Sequence, residues 1–184
     1  MRDGVDRDER WFAGVYRSCE PAVRRYAIRR VGVDQTDDVV AEVFATLWRR
    51  RTDAPERVLP WLYGVASNHL KHLARTCARA ARLVDRMSSQ PPAPAQALVD
   101  WRVADLLDAL SAGDAEILRL AYWEDLPAVD IAVVLGCSPG AARVRLHRAR
   151  KRAAAHLDPG IRPYALIPDP IVADERPREQ EARA

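Results

Sequence analysis

Apolar residues recur at helical intervals along most of the chain. In residues 38–50, DVVAEVFATLWRR, the residues Val40, Val43, Phe44, Leu47 and Trp48 share one side, with charge at the ends. Residues 60–82 open on Pro60, which suits a helix's first turn. They then carry Trp61, Leu62, Val65, Ala66, Leu70 and Leu73 along one side. Upstream, residues 11–31 show a stripe of Phe12, Val15, Tyr16, Val23, Tyr26 and Ala27, which the pattern interrupts around Pro21. Further helices are predicted at about 98–111, 113–123, 127–135 and 139–157. No convincing two-residue alternation occurs, so the expected fold class is all-α.

The periodicity stops at SSQPPAPAQ, Ser88 to Gln96, where three prolines fall among nine residues and no aliphatic side chain exceeds alanine. The expected organisation is an N-terminal helical domain (1–87), a flexible Pro-rich linker (88–97) and a four-helix C-terminal domain (98–157). Beyond it lies a tail (158–184) with prolines at 159, 163, 168, 170 and 177, expected to be partly disordered. Each lobe is small, so its core is marginal and a partner surface that buries more of it is expected.

The segment LPAVDIAVVLGCSPGAARVRLHRARKR has the layout of a helix-turn-helix. Pro127 suits a first turn, and Ile131, Ala132, Val134 and Leu135 supply an apolar side. Gly136 follows where a left-handed residue is wanted, then Ser138 as a cap and Pro139 at the first helical position. At about 100° per residue, Ala142, Leu146, Ala149, Ala153 and Leu157 form one narrow stripe, the expected packed face. Arg143, Val144, His147, Arg148 and Lys151 fall opposite, and Arg145, Arg150 and Arg152 flank the stripe. A basic, mixed front of this kind is where helix-turn-helix proteins touch base edges. Arginine bridges guanine O6 and N7, valine meets a thymine methyl, and flanking cations hold phosphates. A merely solvated helix would gain from acids at i, i+4, and Ser138–Arg152 contains none.

Charge sharpens this picture. The net charge of +3 is modest, but its distribution is not uniform. In residues 98–157 the eight acids all lie within 100–130 and six of the eight bases within 143–152, a segregation that creates a local positive potential. Cys19, Cys77 and Cys137 are spaced for neither a disulfide framework nor a metal knuckle, and read as small, mostly buried thiols. No apolar run is long enough to span a membrane, and the start MRDGVDRDER is too charged for a signal peptide, so a cytoplasmic location is expected.

The first lobe carries a basic helix with Lys71, His72, Arg75, Arg79 and Arg82. Trp48 and Trp61 bracket the loop RRRTDAPERVLP, and cations beside aromatics are the parts of a single-strand binder. Tryptophans on helix faces also belong to cores, and both uses stay open.

Taken in order, DDVVAEVFATLWRR, PWLYGVASNHLKHLAR, a proline linker and a helix-turn-helix ending RLHRARKR closely resemble the extracytoplasmic-function (ECF) sigma factors of bacterial RNA polymerase, over about residues 10–157. The resemblance implies a two-lobed initiation factor whose partners are core RNA polymerase, promoter DNA and an anti-sigma protein. The helix with Asp37, Asp38, Glu42, Val43 and Leu47 matches the part that docks on the polymerase clamp helices. Arg51, Thr52 and Asp53, together with Asn68, Lys71, His72 and Arg75, match the part that melts and reads the minus-ten element and holds nearby phosphates. The second lobe matches the reader of the minus-thirty-five duplex, with Arg143, Val144, Arg145, His147, Arg148 and Lys151 as its contacts. The chain departs from the family pattern at Pro55 in a short loop, at Pro127 in place of a capping Ser or Thr, and at Ala141–Ala142 in place of Thr-Val.

No Gly-rich phosphate loop, HExxH or GxSxG set occurs, so neither an enzyme nor a cofactor, metal or small-molecule substrate is expected. Asp37 and Asp38 diverge by about 100° on a helix and read as first-turn acids that complement its dipole. The rival reading from another class is a stand-alone helix-turn-helix repressor or activator, which would dimerise on a palindrome without polymerase.

Overall fold

The computed structural model describes residues 7–84 and 101–156, and every regular element among them is helical. In chain order these are α1 (Glu9–Val31), α2 (Thr36–Arg49), a 3-10 turn at Arg51–Asp53, α3 (Val58–Val84), α4 (Trp101–Asp108), α5 (Ala112–Tyr122), α6 (Ala128–Leu135) and α7 (Pro139–Ala155). The proposed linker and tail lie outside the described residues, as does Leu157.

The first lobe packs α1, α2 and α3 against one another. Asp8 starts α1, its carboxylate accepting the Trp11 N–H at 2.9 Å. The expected interruption at Pro21 does not occur, because α1 runs through it. Proline removes one backbone donor but already holds helical φ, and the packing of Val23, Tyr26 and Ala27, buried just beyond it, carries the helix on. Gly32 turns the chain with φ 75°, and the buried Thr36 hydroxyl donates to its carbonyl at 2.5 Å. The core between the three helices is Val23, Tyr26, Val39, Val43, Leu47 and Leu62.

In the second lobe α7 lies across α5 and α6. Ser111 caps α5 by accepting the Asp114 N–H at 3.1 Å. Ile117, Leu120, Ile131, Val134 and Leu146 are its main buried aliphatics. Small residues on α7 (Ala142, Ala149 and Ala153, all buried) let that helix sit close to its neighbours.

The two lobes also touch. Helix α6 rests on α3, and a Cβ added at Gly64 would lie 3.6 Å from the Val134 Cα. This contact between lobes separated by a predicted linker was not legible from periodicity.

Candidate nucleic-acid interface

The turn between α6 and α7 is built as its residues dictate. Gly136 takes the left-handed conformation (φ 62°, ψ 41°), and the Cys137 N–H bonds back to the Ala132 carbonyl at 3.0 Å. Ser138 caps α7, accepting the Ala141 N–H at 3.2 Å, and Pro139 opens the helix. At the other end of the motif, Pro127 stands at the N-cap of α6 with no side-chain cap bond.

The register of α7 then follows from its buried stripe. With Ala142, Leu146, Ala149 and Ala153 inside, Arg143, Val144, Arg145, His147, Arg148 and Lys151 are all exposed. Val144 keeps 49% of its surface in solvent, a large apolar side chain framed by cations. Such a face offers both hydrogen-bond donors and an apolar contact to a major groove. Two flanking cations are used otherwise than expected: Arg150 donates to the Tyr122 hydroxyl at 2.8 Å, and Arg152 pairs with Asp114 at 2.8 Å. They tie α7 to α5, which leaves Arg145 as the flanking phosphate candidate, beside Lys151 of the opposite face.

In the first lobe the loop is pinned at Ala54, which is buried. Arg51 lies over Trp48 at 4.3 Å and donates to its carbonyl at 3.0 Å, while Arg7 donates to the Arg51 carbonyl at 2.6 Å. Thr52 and Asp53 are exposed. Trp48 is 37% exposed and meets Phe12 edge to face at 5.3 Å; Trp61 is half-buried beneath Arg50. Each tryptophan thus anchors the lobe on one side and keeps some surface on the other. Asn68, Lys71, His72 and Arg75 are exposed, and their spacing of three, four and seven puts them on one face of α3. The side chains of Arg79 and Arg82 lie outside the described residues.

Helix α2 divides the docking residues. Asp37 and Asp38 are exposed and Glu42 is half-buried. Asp37 pairs with Arg24 at 2.6 Å, and Glu42 with Arg49 at 2.7 Å. The hydrogen bond from Arg49 holds the Glu42 carboxyl below its ordinary pKa. Val43 and Leu47, expected to contribute to docking, are fully buried. Their place is a correction: they sit one helical turn apart on the side of α2 that faces α1 and α3, so they position the outer acids and have no surface to offer a partner.

A polar cluster missed from the sequence joins the lobes. Arg30 meets Glu116 through two nitrogens, at 3.0 and 3.2 Å, and Glu124 at 3.1 Å. Arg29 meets Glu124 at 2.5 Å, and the Tyr26 hydroxyl donates to Glu116 at 3.2 Å. Arg29 and Arg119 both lie against the Trp123 ring, at 5.8 and 5.7 Å. Burial pushes the Arg119 pKa down. For Arg30 burial acts the same way but is outweighed by Tyr26 and Glu116, so its pKa is raised. Arg57, at the end of the first-lobe loop, reaches Asp130 of α6 at 2.5 Å. The available signal was the acid block at 100–130 set against the Arg29–Arg30 pair.

Two family patterns match the chain: Sigma-70 region 2 over residues 15–86 and Sigma-70 region 4 over residues 100–152. Among similar proteins, ECF RNA polymerase sigma factor SigD of Mycobacterium tuberculosis (strain H37Rv) is 32% identical over 169 residues, covering 83% of this chain and 79% of its own. RNA polymerase sigma factor CarQ of Myxococcus xanthus is 28% identical over 164 residues, covering 83% and 90%. Among solved structures, CnrH in complex with the cytosolic domain of CnrY aligns with a TM-score of 0.58 at 28% identity, covering 84% of this chain and 92% of that one. The sigma factor RpoE in complex with the anti-sigma factor NepR from Bartonella quintana shares the fold, with a TM-score of 0.62 at 23% identity, covering 79% and 96%. With both region patterns in order on one chain and the SigD likeness running across both lobes, the chain belongs to the ECF sigma factors, which direct promoter-specific transcription initiation by RNA polymerase.

Proposed function

We propose that the two lobes divide promoter recognition between them. The first lobe (1–87) docks on the polymerase clamp helices through the outer face of α2, at Asp37, Asp38 and Glu42. Its loop, with Arg51, Thr52 and Asp53, and the α3 face of Asn68, Lys71, His72 and Arg75, engage the minus-ten element. Flipping a base out of its stack costs a few kcal/mol; a pocket at the loop offsets that cost by stacking and hydrogen bonding, with no covalent chemistry. The second lobe (98–157) sets α7 in the major groove of the minus-thirty-five element. Arg143, Val144, His147 and Arg148 meet base edges there, and Arg145 and Lys151 meet phosphates.

The observation that carries this reading is the exposed face of α7, where Val144 stands among cations on a helix whose opposite stripe is buried. The factor acts in the cytoplasm, catalyses no reaction itself and is restrained by an anti-sigma protein. Support for that restraint comes from the relatives CnrH and RpoE, both solved with a bound protein. Among the described residues no helix is long and apolar enough to cross a membrane.

Run-off transcription with purified core polymerase tests the proposal. Adding the protein yields initiation at a defined start on promoter DNA. A protein that never supports initiation, yet alone protects a palindrome, would instead be a stand-alone repressor.

A further inference from the structure

The second lobe has an open groove of about 400 Å³ between the α4–α5 turn and the last turn of α7, within the size range of clefts that hold a ligand-sized group. Ala109, Leu110 and Ala155 supply its apolar lining. Leu110 is half-buried, and both alanines are exposed. Ser111, Asp114, Arg152 and His156 supply the polar groups. The Asp114 carboxylate is already engaged: it accepts from the Ser111 hydroxyl at 2.8 Å and from Arg152 Nη1 at 2.9 and 2.8 Å. An occupant therefore gains little by offering a cation to Asp114. What stays open is apolar surface, beside an Arg152 side chain that is 57% exposed and an exposed His156. That combination suits an apolar segment followed by a carboxylate.

A segment of that chemistry follows within a few residues. Ala155 and His156 belong to the groove, and residues 157–184 continue directly from its rim. Asp158, Pro159 and Gly160 come early in that stretch. Proline followed by glycine fits the two central positions of a type II turn, which reverses the chain. IRPYALIPDPIV (Ile161–Val172) comes after it, with Tyr164, Leu166, Ile167, Ile171 and Val172 as its large apolar residues. From Pro163 to Glu175 no basic residue occurs, and Asp169, Asp174 and Glu175 are acids. On α7, Arg148, Lys151 and Arg152 are exposed and carry the opposite charge. A lobe of about 60 residues is near the lower limit of what one core stabilises, so covering Leu110 adds apolar burial where the core is smallest.

We propose that the segment Ile161–Val172 docks in this groove, with Tyr164, Leu166 and Ile167 against Ala109, Leu110 and Ala155, and with Asp169 toward Arg152. Docking braces the junction of α5 and α7, which the Arg152–Asp114 pair already ties together. It thereby holds the frame that presents Arg143, Val144, His147 and Arg148. Those residues lie away from the buried stripe of α7, and the docked segment leaves them uncovered. The docking is a property of the chain alone; only its consequence for promoter binding rests on the sigma-factor reading.

Hydrogen exchange of the full chain, read by mass spectrometry, tests the docking. Amides between Tyr164 and Val172 exchange about tenfold or more slowly than in a free peptide of the same sequence, at every protein concentration. Ala155→Arg fills the groove while placing a cation at the C-terminal end of α7, where the helix dipole favours one. It keeps the wild-type helix content by circular dichroism and releases those amides. The triple variant Tyr164→Ala, Leu166→Ala, Ile167→Ala leaves the groove itself intact. It lowers the urea midpoint of the second lobe and weakens duplex binding by the same factor on every sequence. Free-peptide exchange in the wild type overturns the docking, as does protection that the folded Ala155→Arg variant leaves in place. Protection that grows with protein concentration assigns the contact to a second copy and overturns it too. A triple variant that binds the duplex more tightly overturns it by showing that the segment covers the reading face of α7. Protein whose segment is released by Ala155→Arg but which never initiates run-off transcription keeps the docking and removes the sigma-factor reading. Normal initiation with an unprotected segment does the reverse.

Discussion

Arg148 and Val144 stand near each other on the open side of α7, and their chemistry defines what that helix can read. A guanidinium that reads guanine distinguishes bases, whereas one on a phosphate does not. Arg148→Ala is expected to cost about 1–3 kcal/mol of discrimination at one promoter position, measured by competition binding with single-base variants of the minus-thirty-five duplex. An equal loss on every sequence would make Arg148 a phosphate contact. Ser138 works earlier in the chain of causes, since its hydroxyl accepts the Ala141 N–H and fixes where α7 begins. Ser138→Ala should lower the unfolding free energy by about 1 kcal/mol in urea titrations. It should also weaken DNA binding on all sequences alike, because it moves the frame and not a reading group.

Helix α2 shows how one element serves two purposes. Its inner residues Val43 and Leu47 are buried between α1 and α3, and its first turn shows Asp37 and Asp38 to solvent. Truncating the inner face costs stability: Leu47→Ala should destabilise the first lobe by about 2–5 kcal/mol, seen as a lower chemical-denaturation midpoint. Reversing charge on the outer face costs chiefly binding. Asp38→Arg should reduce capture of core polymerase and leave duplex affinity unchanged, while stability falls only by the roughly 0.3–1 kcal/mol that a first-turn acid contributes. Normal capture by the folded variant removes the docking assignment. The periodicity of α2 placed Val43 and Leu47 on the core stripe, while the family likeness put them in the docking set. Packing sided with the periodicity, because a side chain without solvent surface cannot meet a partner. Helix α1 went the other way: Pro21 is a break by local rules, and tertiary contacts around Tyr26 override it.

At the scale of the whole molecule, the lobes share a buried polar seam that also reaches the tyrosines. Burial, with Glu124 nearby, pushes the Tyr63 hydroxyl up to about 12, and burial raises Tyr26 as well. The folded chain therefore holds those protons more tightly than the unfolded chain, whose tyrosines titrate near 10. The associated stability is complete below pH 10 and declines as pH rises toward 12. The thermal midpoint should fall over that interval, and Tyr63→Phe should flatten part of the fall; an unchanged slope would mean Tyr63 is solvated in solution.

Most of the architecture was determined by local pattern. Apolar spacing, capping residues and the Gly136–Ser138–Pro139 turn are short-range features, so the helices, apart from the continuity of α1 through Pro21, and the exposed basic face of α7 followed from the sequence alone. Only tertiary structure decided which cations are spent internally. Arg150 and Arg152 bind α5, and Arg29, Arg30 and Arg57 meet carboxylates that lie 73 to 95 positions away in the chain. Periodicity assigns a residue to a face of its own helix but carries no information about what the folded chain brings opposite that face. Charge pairing and the packing of α6 on α3 both act between residues far apart in the chain, so the contact between the two lobes became visible only once the helices were packed.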